Sequence, residues 1–317
     1  MNRTEYFPLL KEKYPDIETF SEIERTCRKI EDHFSTHERI LISVSGGSDS
    51  DCIVHLICTY FPEYLPKCFF VFVDTGLEYE ATKRHLIYLQ EKYGIRIEKI
   101  RGISVVTAIK RHGIPILNKS RSEDIYYYLR GAPWAIERIE RREGRYGYNE
   151  NMRAMIHYIK ENGIQISSRC CKESKKKPIK KYIHENGIDL NVTGERKAEG
   201  GQRACAHKSC FEIHKDGGHK YMPLWWWSNE TKKQFKAAEE IRFSDCYEIY
   251  GLKRTGCVGC PFDVNIANCL NIMYEHEPKL FEACISVFGT AYELTDRFKC
   301  RRKKCLPECY QMTLQMG

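Results

Sequence analysis

Two cysteine pairs and one glycine loop carry the residues best suited to chemistry. Cys170 and Cys171 are adjacent in "SSRCCKESKKKP"; Cys257 and Cys260 form a C-x-x-C turn in "YGLKRTGCVGCPF", followed by Pro261. Zinc wants four thiolates or imidazoles in a tetrahedron, typically from two C-x-x-C-like turns. Adjacent cysteines point in different directions and fit one tetrahedral ion awkwardly. A disulfide is disfavoured in a reducing compartment. A [4Fe–4S] cubane offers four separate irons, so adjacent thiolates can each take a corner. The tandem pair plus the C-x-x-C is better explained by the cubane.

The glycine loop is "SVSGGSDSDC", Ser43 to Cys52, between the apolar run "RILISV" and the buried-helix pattern "DCIVHLICTYF". A strand–loop–helix unit surrounds an anion with successive backbone N–H groups and a helix N-terminus. Gly46 and Gly47 let the backbone turn sharply and approach phosphates. Ser43, Ser45, Ser48 and Ser50 add hydroxyls, and Asp49 orients the loop or binds Mg²⁺. The Walker pattern and the dinucleotide fingerprint are both absent. Taken alone, the stretch is also a plain turn of small residues. A second candidate segment, "FVDTGLEYEAT", places Asp74, Thr75 and Gly76 beyond the carboxyl end of a strand, where ligands of open α/β sheets bind. Alone, Asp74 would sooner be a helix cap.

These residues need a scaffold, and the flanking patterns supply one. "DIETFSEIERTCRKIEDHF" has helical periodicity. Strands "RILISV", "CFFVFVD" and "IRIEKI" alternate with helices "SDCIVHLICTYF", "EYEATKRHLIYLQEKYG" and "SVVTAIKRHG". This βαβαβα rhythm predicts an α/β fold: a parallel twisted sheet flanked by helices, with helical N- and C-terminal additions. The stretch from Ser120 to Gly163 reads as mostly helical, "KPIKKYIHENG" as a helix and "IDLNVTG" as a strand. Regularity fades after Gly200. The expected organisation is a helical extension over 1–37, an α/β domain over 38–262 and a cysteine-containing helical tail over 263–317.

The totals bound the function. The chain has 317 residues, 51 Lys plus Arg against 43 Asp plus Glu, a net charge of +8 and 16 cysteines. The basic excess suits a polyanionic partner such as nucleotide, tRNA or DNA, and equally a merely basic enzyme. No apolar run reaches the ~18 residues of a membrane span, and the first residues lack a signal-peptide core. A cytoplasmic protein is expected. There, 16 cysteines point to metal or sulfur chemistry.

Ser45-Gly46-Gly47-Ser48-Asp49-Ser50 resembles the SGGxDS loop of the PP-loop ATP pyrophosphatase superfamily, which cradles the pyrophosphate of ATP for cleavage between the α- and β-phosphates. The resemblance implies an adenine nucleotide alpha hydrolase-like fold. Many members carry lysine where this chain has Ser48, so either an Arg or Lys from elsewhere compensates or the leaving group differs. "DTGLEYEAT" is similar to the "DTG…(F/Y)PET" segment of the phosphoadenylyl-sulfate (PAPS) reductase branch, with Glu80-Ala81-Thr82 in place of Pro-Glu-Thr. The CC…CxxC arrangement resembles the cluster site of adenylyl-sulfate (APS) reductases. "VTGERKAEGGQRA" is similar to that family's G-x-R-x-x-E-S-x-x-R segment: Gly194, Arg196, Glu199 and Arg203 fit, and Gly200 replaces Ser. "PLWWWSNE" matches its P-(hydrophobic)-x-W-(S/T) segment. The motifs keep the family's order over residues 39–262.

The resemblance implies ATP (or APS/PAPS), a [4Fe–4S] cluster on Cys170, Cys171, Cys257 and Cys260, and Mg²⁺. Gly194, Arg196 and Arg203 become nucleotide or substrate contacts; read alone, the two arginines are surface charges. Trp225 to Trp227 read as core or a helix lead-in, and Lys172 to Lys181 as a solvated face. Sulfur-handling candidates are Cys205 and Cys210, with His207 or Lys208 lowering a thiol pKa, and Cys309. The tail "CRRKKCLPEC", with Cys300, Cys305 and Cys309, reads first as a mobile basic tail.

Two enzymatic readings follow. In the first, favoured by the intact loop, the protein adenylates a substrate oxygen with release of pyrophosphate and replaces it with sulfur, as in DNA phosphorothioation or tRNA or small-molecule thiolation. The sulfur would come from a cysteine desulfurase or sulfide. In the second, a sulfonucleotide reductase, a C-terminal cysteine attacks sulfur; Glu308-Cys309-Tyr310-Gln311 keeps only Glu-Cys of the usual "ECG(I/L)H". A third reading is a non-catalytic nucleotide or nucleic-acid binder.

Overall fold

The computed structural model describes residues 8, 10–141, 147–200, 207–213, 218–301 and 304–306. Six strands form one sheet in the order β3-β2-β1-β4-β6-β5: β1 Ile40–Ser43, β2 Cys68–Asp74, β3 Ile97–Arg101, β4 Leu190–Val192, β5 Phe211–Ile213 and β6 His219–Tyr221. β1 pairs in parallel with β2 on one side and β4 on the other, and β4 pairs in parallel with β6. β5 runs antiparallel to β6. The expected all-parallel sheet is thus corrected at one edge, and the regularity that faded after Gly200 resumes as a hairpin. Its two strands have three residues each, too short for alternation to stand out.

The chain divides into two compact units, each drawn from three stretches. The first comprises Met1–Val73, Ala81–Ile100 and Ile179–Thr255. Ile40, Ile42, Leu190 and Val192 of the central strands are buried there, with Ile53, Val54, Leu56 and Ile57 from the Ser48–Tyr60 helix. Their continuous apolar runs reflect burial on both faces, as parallel strands require. The Ile17–Thr36 helix is capped by Asp16, whose side chain accepts from Thr19 N, and buries Ile23, Cys27, Ile30 and Phe34 in the same core. Trp225 and Trp227 are fully buried while Trp226 is 40% exposed; Ser228 then caps the Asn229–Ala238 helix. The tryptophans are core and lead-in together.

A single buried carboxylate ties distant segments of this unit. Glu239 accepts from Lys13 Nζ (2.8 Å), Tyr14 Oη, His55 Nε2 (3.0 Å) and Tyr60 Oη (2.6 Å). Burial pushes this carboxyl up, but the four donors outweigh it and hold it at about 2.

The second unit comprises Asp74–Glu80, Arg101–Pro178 and Gly256–Gly317. It is helical. Helices Lys119–Tyr128, Pro133–Glu140, Glu150–Glu161 and Pro278–Arg297 bring Ile125, Ile139, Met155, Ile156, Ile159 and Leu294 into one core. Cys300 and Cys305 are buried, at 8% and 2% exposure. Cys305 N and Leu306 N donate to the Asp296 carboxylate. The described part of the tail is therefore packed structure, which corrects the reading of a mobile basic tail. Cys309 lies outside the described residues.

Candidate functional site

In the first unit, the glycine loop leaves the carboxyl end of β1 and the Thr193-Gly194 turn leaves that of β4. β1 and β4 are neighbours although far apart in sequence, which makes their junction the switch point where open α/β sheets bind ligands. Gly46 has φ +64°, and a Cβ there would stand 2.7 Å from Thr82 Cγ2. Only glycine meets both demands. Ser50 Oγ donates to Gly47 O at 2.8 Å and accepts from Ser45 N at 3.3 Å, closing the loop on itself. The Ser48–Tyr60 helix begins at the loop, with Gly47 as N-cap. Ser43 Oγ donates to Asn191 Oδ1 of β4 at 3.1 Å.

A cavity of about 360 Å³ opens over this loop. Ser45, Gly47, Ser48, Asp49 and Ser50 line it, with Gly194 and Arg196. Arg196 is 5% exposed. Its Nε donates to Asp49 Oδ1 at 2.8 Å, and its Nη1 reaches Ser228 O and Asn229 Oδ1. The guanidinium thus fixes the loop to the start of the Asn229–Ala238 helix. Asp49 also accepts from Lys232 Nζ at 2.7 Å. The same ammonium donates to Ser48 Oγ at 2.5 Å. Tyr247 Oη, whose pKa burial pushes up, bonds Thr255 Oγ1 at 2.9 Å. Lys232, Tyr247, Lys253, Arg254 and Thr255 complete the wall, and sequence reasoning missed all five. They share no motif spacing; the Asn229–Ala238 helix and the turn after Asp245–Glu248 bring them to the loop.

Other expected residues fall elsewhere. Asp74, 2% exposed, receives Arg101 Nη2 at 2.5 Å and Gly76 N at 2.8 Å. Thr75 Oγ1 donates to Glu78 Oε1 at 2.7 Å. The Asp-Thr-Gly segment is a turn closed by its own side chains. Cys210 precedes β5 and packs partly buried against the core. His207 directs its ring nitrogens to Glu195 and Glu212. Arg203 and Cys205 lie outside the described residues.

In the second unit, Cys170 and Cys171 open the turn that leads through Lys172–Lys176 into the Lys177–Glu185 helix. A hydrogen bond between the two thiols holds Cys171 below the ordinary thiol range while Cys170 is pushed up. Lys175, Lys119 and Lys176 add to the fall at Cys171. Burial pushes Cys257 up, with Lys175 pulling against it, and pushes Cys260 up to about 12. Burial pulls Lys175 down, but the charges of Cys257 and Glu78 and a hydrogen bond to Cys257 outweigh it and keep the ammonium charged. That corrects the reading of Lys172–Lys181 as simply a solvated face. Gly259 has φ +66°, and a Cβ there would stand 2.6 Å from Cys284 Sγ. Arg301 donates to Leu117 O, Pro261 O and Asp263 O, clasping the C-x-x-C-P turn.

Cys170, Cys171, Cys257 and Cys260 all interact electrostatically. Among the described residues no three His, Cys, Asp or Glu side chains converge as ligands of one metal ion. Four mutually interacting thiols with a nearby cation suit a multinuclear cluster, with one thiolate per iron, better than a single ion.

A doubly wound, mostly parallel sheet with an SGGxDS loop at its switch point defines the PP-loop, adenine nucleotide alpha hydrolase-like class. Residues 39–128 and 133–262 match the model of the phosphoadenosine phosphosulfate reductase domain, and the chain belongs to that family. It is 28% identical over 234 residues to the uncharacterized protein MJ0066 of Methanocaldococcus jannaschii, covering 72% of this chain and 38% of the relative. The chain thus spans well under half the length of that relative. Similar solved structures include the PAPS reductase of Candida auris, at 14% identity, 73% and 87% coverage of the two chains and a TM-score of 0.47. Another is the U34-tRNA thiolase NcsA of Methanococcus maripaludis, solved with its [4Fe–4S] cluster, at 13% identity, 90% and 82% coverage and a TM-score of 0.40. No described helix is long and apolar enough to cross a membrane.

Proposed function

We propose that this protein is an ATP-dependent sulfur-transfer enzyme, acting on DNA, tRNA or a small molecule. The observation that carries the reading is the intact Ser45–Ser50 loop, with Lys232 on Ser48 and Asp49, lining a cavity at the switch point of the sheet. A substrate oxygen attacks the α-phosphorus of ATP; the bond to the bridging oxygen breaks, and pyrophosphate leaves with its electron pair. The loop N–H groups and Lys232 stabilise the charge that develops on the leaving group. AMP then makes the substrate oxygen a good leaving group for incoming sulfur. Arg196 and Asp49 hold the loop in register.

Cys170, Cys171, Cys257 and Cys260 would hold the [4Fe–4S] cluster. When bound, it supplies a Lewis-acidic iron to which sulfide can bind. Lys175 offsets the negative charge of the thiolates, and Tyr292 and Arg301 hold the carbonyls of Gly259, Pro261 and Asp263. Mg²⁺ is expected with the nucleotide. The sulfur donor is a cysteine desulfurase or sulfide.

The family match keeps one second reading, a sulfonucleotide reductase. Anaerobically purified protein offered ATP with DNA, tRNA and small acceptors should release pyrophosphate only with its true acceptor. Turnover of APS or PAPS to sulfite without ATP would establish the reductase instead. Iron and acid-labile sulfide should be present in equal amounts, and a colourless protein with stoichiometric zinc would exclude the cluster.

A further inference from the structure

The cavity over the glycine loop holds more positive charge than the loop itself can use. Its charged lining residues are Arg196, Lys232, Lys253 and Arg254 against Asp49 and Glu199. Arg196 and Lys232 both face Asp49. Lys232 has three donors; two meet Ser48 Oγ and Asp49 Oδ1, and its side chain is only 17% exposed. Its stem runs beside Phe243, with Nζ 5.7 Å from the ring centroid. The third N–H has no partner among the described residues.

Lys253 and Arg254 differ from Arg196. They are exposed, line the cavity and have no carboxylate partner among the described residues. The 253–255 segment stands against the loop: Thr255 Oγ1 lies 3.4 Å from where a Cβ on Gly47 would be. Two unpaired cations on a cavity wall repel each other, and an anionic ligand relieves that repulsion.

We propose that Lys253 and Arg254, with Lys232, form a second anion subsite that takes the terminal phosphates of a nucleoside triphosphate beyond the phosphate held at the glycine loop. Charge placement selects this ligand. A triphosphate carries its charge in line along the chain, so it can reach the loop and the 253–255 segment together. In a sulfonucleotide the chain is one unit shorter, and any additional phosphate sits on the ribose. The subsite therefore deepens the proposed use of ATP and rests on the nucleotide reading of the cavity.

The test measures binding of Mg²⁺-ATP, AMP and inorganic tripolyphosphate by calorimetry, on the full chain and on Lys253→Ala/Arg254→Ala. Both side chains are exposed, so an unchanged melting temperature is expected. Removing one charge-assisted hydrogen bond lowers affinity about tenfold, so ATP and tripolyphosphate should weaken about a hundredfold while AMP changes less than about threefold. An ATP-to-AMP affinity ratio unmoved by the double substitution overturns the second subsite alone. A wild-type chain that binds neither ATP nor AMP overturns the nucleotide reading with it.

Discussion

Gly194 gives a direct test of how the loop is held. A Cβ there would stand 3.0 Å from Ser50 N, 3.1 Å from Asp49 C and 3.3 Å from Ser50 Cα. All three are backbone atoms of the first turn after the loop, so no side chain can rotate away. Ordinary contact begins near 3.4 Å; Gly194→Ala must displace that turn by about 0.4 Å. Overpacking of this kind costs about 1–3 kcal/mol, or roughly 2–4 °C of Tm per kcal/mol. A 1 Å misplacement at a reacting centre costs about a hundredfold, so this shift should lower kcat for pyrophosphate release roughly five- to tenfold. Gly163→Ala is the control. Gly163 has φ +65° and open space around it, so alanine there meets only the left-handed penalty of about 1–2 kcal/mol. Both variants should lose thermal stability, and only Gly194→Ala should lose turnover. Equal turnover in the two would refute the idea that Gly194 sets the loop.

Three further outcomes are expected. Glu239 sits low when folded, at about 2 against an ordinary 4.5, so its stabilisation is complete above pH 4.5 and is lost as pH falls towards 2; Glu239→Gln should cost on the order of 3 kcal/mol at neutral pH and flatten the acid limb of a pH–Tm curve, and an unchanged limb would contradict the hub. Arg196→Lys keeps the charge but not the fork that joins Asp49 to Ser228 and Asn229, so it should cost about 2–4 kcal/mol in urea unfolding and weaken ATP binding; near-wild-type behaviour would mean charge alone suffices. Arg301→Ala frees the carbonyls of Leu117, Pro261 and Asp263 and should lower iron per chain after anaerobic purification, whereas full iron content would show that the C-x-x-C-P turn holds itself.

The parts legible in the sequence share a physical basis: they are local. β1, β2 and β3 stand out as strand-like runs between helical patterns, and the Ser45–Ser50 loop because its glycines and hydroxyls are contiguous. The adjacent and C-x-x-C cysteines declare themselves by spacing. Residues joined only by the fold stay hidden. β5 and β6 escape notice because three residues carry no periodicity. Lys175 reads as one of many lysines until its contact with Cys257 is seen, and Arg301 reads as tail charge until its three carbonyl acceptors are known.

The sequence by itself determined the fold class, the family and the chemistry-bearing loop and cysteines, since each is encoded in residues close along the chain. It left open what stands in for a lysine at Ser48. Tertiary structure decided that, because Lys232 lies 184 residues away and meets the loop only when the Asn229–Ala238 helix packs beside it. It also turned Arg196 from an expected phosphate contact into a buried brace for Asp49, since a guanidinium with 5% exposure needs protein acceptors.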